Sequence, residues 1–382
     1  MPRNRLLFLT SSFPDFPGGY RGSGILEMSL RLAASGWKMY IVTPRIFAKS
    51  PIFERMNGIY IWRFIFPSGG KILADYKKTP YLRMSFYILS GIIFSLWICI
   101  KKRVSLINAH FVIPTGFVAV FVSRLLSLPL VITAHGSDIL SLPGRSVFLK
   151  RIAIFTLRRA DRIIAVSEMI RDVISSWGIP QEKIVCLPIG IDESCYLPDR
   201  ERENLVISIR NLNPIYNVET LIRAVGEVVE HFPEARFLIV GDGTERERLE
   251  ALAAKLGVAK SVDFRGRVPR EEIPKILSCG KVYVSTSLSD GTSVSLLEAL
   301  ASGIFPVVSD IPANTQWITN GENGYLFPRR EPHLLAQKIV LALKDDTLRR
   351  NAREKNRHLI EEKGSWNAII PRIEDIYRSL LK

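Results

Sequence analysis

Short apolar runs and helix-periodic segments alternate along almost the whole of this 382-residue chain. Arg5 to Thr10 is an apolar run that breaks at Ser11-Ser12-Phe13-Pro14. Ile25, Met28 and Leu32 then recur at helical spacing, and Ser35-Gly36 supplies a C-cap signal. Met39 to Thr43 is a second apolar run. Strand, helix and strand in this order make a βαβ unit, the start of a doubly wound parallel sheet. The pattern predicts further strands at 105–109, 130–133 and 162–166, and helices at 116–126, 147–159 and 168–177.

A charged, polar stretch at 198–204 follows Pro188-Ile189-Gly190-Ile191-Asp192 and reads as an interdomain linker. A second series begins after it. Strands are predicted at 205–209, 236–240, 261–264, 282–284 and 305–308, and helices at 218–230, 246–256 and 334–343; the series also runs through 273–278. A last helix at 367–381 has Ile369, Ile370, Ile373, Ile376, Leu380 and Leu381 at apolar spacing. The chain is long enough for two domains, each with its own core. The expected division is 1–198, 199–363, and a C-terminal helix within 364–382.

The formal net charge is +15, and it is unevenly placed. Residues 1–200 carry 26 Lys and Arg against 12 Asp and Glu, whereas residues 201–382 carry 26 against 25. A basic half implies an anionic partner: a membrane surface, nucleic acid or an acidic acceptor. Basic patches interleaved with aromatics in an RNA-binding pattern are absent, so no nucleic-acid partner is expected. The run Phe86 to Ile100 is apolar nearly all round, and Lys101-Lys102-Arg103 follows at once. Fifteen residues fall short of the roughly 20 that span a bilayer. The run reads either as a fully buried helix or as an interfacial helix on an anionic membrane surface. Cys99, Cys186, Cys195 and Cys279 form no Cys-x-x-Cys and no metal-type spacing, which suggests a reducing compartment. Leu6 to Leu9 is too short for the core of a signal peptide. The expected location is the cytoplasm, or peripherally the inner face of the cell membrane.

The stretch from Ser289 to Ala299 carries the most chemistry. Lys281 to Ser285 reads as a strand, and Val294, Leu296, Leu297, Ala299 and Leu300 as a helix. Between them lies the small-residue turn Asp290-Gly291-Thr292-Ser293. Such a loop aims several backbone N–H groups at one spot, and the helix dipole adds partial positive charge there. That suits a phosphate or diphosphate. Asp290 sits at the loop's mouth. Glu298 lies about one and a half turns into the helix, where a carboxylate can accept bonds from a vicinal diol such as a ribose.

Asp290 and Glu298, with Leu300-Ala301-Ser302-Gly303 and Pro306-Val307-Val308-Ser309-Asp310 behind them, resemble the E-x7-E signature of retaining glycosyltransferases of family 4. Asp290 stands in place of the first Glu. Other segments resemble the family in the same order along nearly the whole chain. They are Asn108-Ala109-His110 with Pro114-Thr115-Gly116, Thr133-Ala134-His135-Gly136-Ser137-Asp138, 160–167, 238–243, and Phe264-Arg265-Gly266-Arg267-Val268. The resemblance implies an α/β, GT-B fold: two Rossmann-like doubly wound domains facing across a cleft. The basic first domain would take the acceptor and the second a nucleotide-diphospho-sugar. It further implies that the last helix returns to the first domain. His135 and Asp290 would act on the donor sugar as the catalytic pair, and Glu298 would hold the ribose. Gly291, Thr292, Ser293 and Val294 would cradle the diphosphate. Arg267 and Val268 would meet the base. Gly24, the best match among the glycines of the loop from Pro14, would let backbone approach the diphosphate. His110 and Asp138 are candidates on the acceptor side.

The chain departs from the family at 208–218. The usual Arg and Lys that neutralise the donor phosphates align with Asn211 and Tyr216, and Arg210 is displaced by one residue. On a strand such a shift flips the side chain to the other face; in a loop after the strand it can still reach. Arg210 is the best candidate for charge compensation, with Tyr216 and the adjoining Asn217 beside it. Arg267 or Arg265 could substitute. Thr292-Ser293 replaces the usual aromatic and glycine, which implies a differently shaped sugar pocket.

The implied activity is that of a retaining, metal-independent hexosyltransferase acting in cell-envelope glycan biosynthesis. The donor is expected to be a UDP-sugar, with GDP-mannose as the second option. The acceptor is expected to be a lipid-linked molecule or a glycan, with an anionic membrane surface as a further partner. No cofactor is expected. The same fold also serves a nucleotide-sugar epimerase, a glycogen- or sucrose-type synthase, or a catalytically silent membrane-associated protein.

Overall fold

A computed structural model describes residues 4–16, 19, 21–70, 80–196 and 202–382. The expected linker lies outside them as far as residue 201, as does Gly18 of the first loop. The chain divides into two compact units, Met1–Ile189 with Ile369–Lys382, and Gly190–Ala368.

The first unit holds β1 (Arg5–Thr10), β2 (Lys38–Pro44), β3 (Phe53–Met56), β4 (Ile59–Phe64), β5 (Leu106–His110), β6 (Leu130–Ala134), β7 (Arg162–Ala165) and β8 (Ile184–Cys186). They form one sheet in the order β3-β4-β2-β1-β5-β6-β7-β8. Every pairing is parallel except that of β3 with β4. Parallel strands lie under helices on both faces, so their apolar residues are continuous rather than alternating. Leu6 to Thr10 and Met39 to Pro44 are accordingly buried without a break. From Ile369 onward the final helix (Trp366–Leu380) belongs to this unit. There Asn108 Nδ2 donates to the Tyr377 hydroxyl at 2.6 Å and Trp37 Nε1 to Glu374 at 2.7 Å.

Two expectations are corrected here. The β3–β4 hairpin has no counterpart among the strands expected from the sequence. Its turn is Asn57-Gly58, both at positive φ (43° and 85°), the residue pair that a tight two-residue hairpin turn demands. The apolar run read as 86–100 belongs to a longer helix, Tyr81–Lys102, of 22 residues. At about 33 Å it is not too short to span a bilayer. Nor is it fully buried. Met84, Tyr87, Gly91, Ser95, Ile98 and Cys99 face inward, while Leu82, Phe86, Leu89, Ile93, Trp97 and Ile100 are exposed.

The second unit holds β9 (Glu203–Ile209), β10 (Arg236–Val240), β11 (Val262–Gly266), β12 (Gly280–Ser285), β13 (Phe305–Ser309) and β14 (Tyr325–Phe327). Their order is β11-β10-β9-β12-β13-β14, all parallel. β14 and the helix Asp346–Lys363 also lack counterparts among the expected elements.

Both sheets start from an inner strand, build outward on one side, then continue on the other. β1 lies between β2 and β5, and β9 between β10 and β12. The loops leaving the carboxyl ends of such a central pair go to opposite faces and open a crevice, the place where open α/β sheets bind ligands.

One glycine fixes a crevice wall. Gly241 follows β10 at φ 136°, and a Cβ there would lie 2.0 Å from the Arg210 carbonyl oxygen. Gly241→Ala should cost about 2–3 kcal/mol through overpacking and an unfavourable backbone. Urea denaturation measures it; an unchanged midpoint would show that the Arg210 backbone gives way freely.

Candidate active site

In the second unit, four sequence-selected residues converge at the β9/β12 switch point. β9 ends at Ile209, so Arg210 is the first residue beyond the strand and its side chain is free to turn into the crevice. Its Nη2 lies 2.8 Å from Asp290 Oδ2 and donates to Ser293 Oγ at 2.5 Å; its Nε donates to Ser285 Oγ at 3.1 Å. The guanidinium stands 5.3 Å from the Tyr216 ring. The Arg210–Asp290 contact is an ion pair at hydrogen-bond distance, and the buried Oδ2, a carboxylate oxygen with two lone pairs, can accept a second donor. Asp290 Oδ1 accepts from the Gly291 N–H at 2.8 Å and shapes the turn. Asn211, at the position the family gives to Arg, is exposed.

The adjoining loop is stitched to the same crevice. Thr286 Oγ1 donates to the Tyr216 carbonyl at 2.9 Å, and Leu288 N–H to the Ile215 carbonyl at 2.9 Å. Asn217, at φ 49°, caps the next helix and binds Thr220 Oγ1 at 2.8 Å. Ser293 is the N-cap of the helix Val294–Ser302, its hydroxyl accepting from the Leu296 N–H. The same oxygen therefore serves the helix terminus and Arg210. Gly291 and Ser293 are buried, and Thr292 and Val294 half-buried. A cation, a capping hydroxyl and a helix N-terminus thus lie at one point, which is what an oxyanion such as a diphosphate needs.

Glu298 sits deeper on that helix, 6 % exposed. Burial pushes its carboxyl pKa up, while the Arg270 guanidinium and a hydrogen bond from the Tyr196 hydroxyl act the other way. Tyr196 and Arg270 were not foreseen, since neither follows a motif and both reach Glu298 only through folding. A ligand hydroxyl on Glu298 must share it with Tyr196 or displace it. Val268 packs against the apolar cluster that includes Leu296 and Leu297, and Arg267 is exposed beside it. Arg265 pairs with Asp263 at 2.7 Å on the exposed strand edge.

In the first unit, His110 ends β5 and His135 follows β6. His110 Nδ1 lies 3.0 Å from His135 Nε2, and either ring can be the donor. His110 is fully buried and His135 half-buried. Burial lowers both pKa values: that of His135 to about 4, and that of His110, beside His135, well below its ordinary value. Both imidazoles are therefore neutral at neutral pH. Asp138 is fully buried. Its Oδ1 accepts from the His135 and Gly136 N–H groups (3.1 and 2.9 Å), and its Oδ2 from that of Val112 (2.7 Å). Burial raises its pKa and these bonds oppose the rise. Asp138 thus orients the His135 turn through backbone. Phe111 was not foreseen. At φ 74° it is held by a bond from its N–H to the Thr133 carbonyl, and its ring lies 4.5 Å from that of His135. A bulky residue there is strained, and the strain is spent on aiming the ring.

Gly24 sits in the first turn of the helix Ser23–Ala34, where a Cβ would come 2.9 Å from Ile189 Cγ2. Glycine is needed more strictly at Gly22, the N-cap, at φ 64° with only 2.2 Å between a Cβ and the Ser12 carbonyl.

Two α/β units on largely parallel sheets, each with a polar cluster at its switch point, have the architecture of the GT-B fold. Residues 22–194 match the model of Glycosyltransferase Family 4, and residues 197–359 that of Glycosyl transferases group 1. The chain belongs to this family of GT-B, family-4-type glycosyltransferases. It is similar to N-acetyl-alpha-D-glucosaminyl L-malate synthase of Bacillus anthracis, 23% identical with 94% of each chain covered. It is also similar to a phosphatidylinositol N-acetylglucosaminyltransferase component of Arabidopsis thaliana, 21% identical over 100% of this chain and 83% of that one. Among solved structures, sucrose-phosphate synthase of Thermosynechococcus elongatus superposes with a TM-score of 0.83 at 19% identity, covering 98% of this chain and 99% of that one. HepE of Anabaena in complex with UDP-glucose superposes at 0.77 and 18% identity, covering 98% and 99%.

The buried imidazole predicts a pH dependence. A histidine held neutral stabilises the fold above its ordinary pKa of 6.5, and that stabilisation is lost as pH falls from 6.5 toward about 4. Partial exposure of the ring reduces the effect, to on the order of 2 kcal/mol. Urea midpoints across this range should therefore fall less steeply for His135→Asn than for the parent. Parallel curves would mean that His135 is protonated at no cost.

Proposed function

We propose that the protein transfers a hexose-type sugar, with retention of configuration, from a UDP-sugar to a lipid-linked or polysaccharide acceptor. The observation that carries this reading is the cluster of Arg210, Asp290, Ser285 and Ser293 at the β9/β12 switch point. Arg210, the Ser293 hydroxyl and the N–H groups that open the Val294–Ser302 helix would stabilise the departing diphosphate, in place of a metal ion. The free acceptor capacity of Asp290 Oδ2 suits a hydroxyl of the donor sugar. Glu298 suits the ribose diol. Neutral His135 offers a hydrogen bond to the sugar without adding charge near the forming oxocarbenium.

In the proposed reaction the sugar's anomeric carbon loses its bond to the diphosphate oxygen and gains one to the acceptor oxygen on the same face. The acceptor proton passes to the leaving diphosphate, so no protein nucleophile is required. UDP-N-acetylglucosamine and UDP-glucose are the first donors to test. The former is supported by the names of the Bacillus and Arabidopsis relatives, the latter by the UDP-glucose bound to HepE. The placement of Arg210 supports an enzyme over a silent relative, because a guanidinium stands where the diphosphate charge must be met.

A thermal-shift screen of nucleotide-sugars identifies the donor, since binding to the folded state raises its midpoint. With that donor, Arg210→Ala should weaken donor binding by about 10- to 100-fold, the value of a charge-assisted bond. Glu298→Gln should raise donor KM with little change in kcat. Asp290→Asn should lower kcat while leaving the affinity for free nucleoside diphosphate nearly intact. Full donor affinity in the Arg210→Ala protein would remove the cluster from the donor site.

A further inference from the structure

We propose that the outward face of three neighbouring helices in the first unit, Tyr81–Lys102, Phe117–Leu126 and Val147–Arg159, docks on an anionic lipid bilayer. This adds a partner to the glycosyl-transfer reading without depending on it.

The first observation is apolar exposure. Leu82, Phe86, Leu89, Ile93, Trp97 and Ile100 recur at intervals of three and four residues, forming one continuous stripe, 46–74% exposed. Phe121 and Leu125 extend it on the second helix, and Val147, Phe148 and Phe155 on the third. The helices touch: Phe117 packs against both Phe121 and Phe155, and a Cβ on Gly91 would meet the Val118 side chain. An apolar surface of this extent is rare on a soluble protein without a partner.

The second observation is charge. From Asp75 to Asp161 the sequence has one acidic residue between the two ends, Asp138, against twelve Lys and Arg. Asp138 is fully buried. Lys101, Arg103, Arg124, Lys150, Arg151, Arg158 and Arg159 are exposed on or just beyond these helices, and the exposed carboxylate of Asp161 lies at one edge, beside Arg124. Two copies placed face to face would bring like charges together, whereas an anionic bilayer complements both the apolar stripe and its basic rim.

The third observation is a shallow groove along the outer side of the third helix. It is open to solvent, about 350 Å³ in volume, and lined by Arg151, Ile154, Phe155, Arg158 and Arg159 of that one helix. Three guanidiniums around an apolar floor match a lipid phosphate with the start of its acyl chains. Beside the stripe, Lys101 Nζ lies 4.7 Å from the Trp97 ring, an amphipathic pair of the kind that settles at headgroup level.

Spanning is the wrong geometry for the long helix, although among the described residues it is the one long and apolar enough. Its inner face is committed to the unit's core through Tyr87, Gly91, Ser95 and Ile98, and crossing a bilayer would strip that face bare. The helix lies on the membrane with its outer half submerged.

The test is co-sedimentation of the full chain with vesicles of phosphatidylcholine alone and of phosphatidylcholine with phosphatidylglycerol, at low and high salt. Binding to the anionic vesicles should exceed binding to the neutral ones by about tenfold or more at low salt and weaken as salt screens it. Two variants alter exposed positions: Ile93→Gln with Trp97→Gln, and Arg151→Ala with Arg158→Ala. Each should keep the parent's thermal midpoint and lose on the order of tenfold in vesicle binding. Absence of binding to anionic vesicles at low salt overturns the proposal. So does equal, salt-insensitive binding to both vesicle types. A parent dimer that dissociates in the Ile93→Gln, Trp97→Gln protein, without vesicle binding, would make the face a self-contact and overturns it too. The midpoint shift with a nucleotide-sugar, read on the same samples, should be the same in both variants. Its absence from the parent counts against the donor reading and leaves the vesicle result standing.

Discussion

The parallel pairing of β9 with β12, which sets Val206 opposite Val282 and Ile207 opposite Tyr283, is the constraint on which the second unit's site rests. Both strands are buried on both faces, so neither can slide without exposing apolar surface to water. β10 extends the sheet one way and β13 the other. The loops that leave the pair therefore part, and polar residues of the two loops are left facing one another. Arg210 and the turn of Asp290 and Ser293 meet for this reason. Gly241 lets the β10 loop pass close to the Arg210 carbonyl, where any side chain would push it away.

Within this frame the two clusters follow different electrostatic rules. The second unit holds a buried cation already compensated: Asp290 beside it, two serine hydroxyls on it, and an aromatic ring at its flank. A guanidinium has five N–H donors, so it can take up phosphate oxygens while retaining part of this support. For the proposed diphosphate, such a site would be organised before the ligand arrives and would leave little reorganisation to oppose charge development. The first unit holds no charge at its histidine pair. Burial keeps both rings neutral, and the Asp138 carboxylate in the His135 turn is engaged by three backbone N–H groups. Such a site directs hydrogen bonds and leaves charge stabilisation to others.

The helix Tyr81–Lys102 shows how one element can carry two unlike faces. Its inward positions include Gly91 and Ser95, small residues that let the backbone come close to Val118 and its neighbours. Its outward positions are almost all large and apolar. A surface helix of a soluble domain carries polar residues there. The difference cannot be felt in overall hydrophobicity, since both faces are apolar; it emerges only when each side is assigned its neighbours.

The sequence by itself determined the alternation of strands and helices in both halves, the cap signals that end the helices, and the strand–turn–helix around Asp290. Each of these depends on residues within a few positions of one another. Local signals also existed for elements that were not foreseen: Asn57-Gly58 marks the hairpin of β3 and β4, and residues 81–85 continue the helical spacing of the long apolar helix. Only the tertiary structure decided the rest. Whether Arg210 could act one place out of register depended on where β9 ends and on what stands across the switch point. Tyr196 on Glu298, Phe111 on His135, and Asp138 beneath Val112 are contacts between segments that no spacing links. Periodicity reports which side of an element is apolar; which side chains share a crevice is set by strand order, and strand order is a property of the closed sheet.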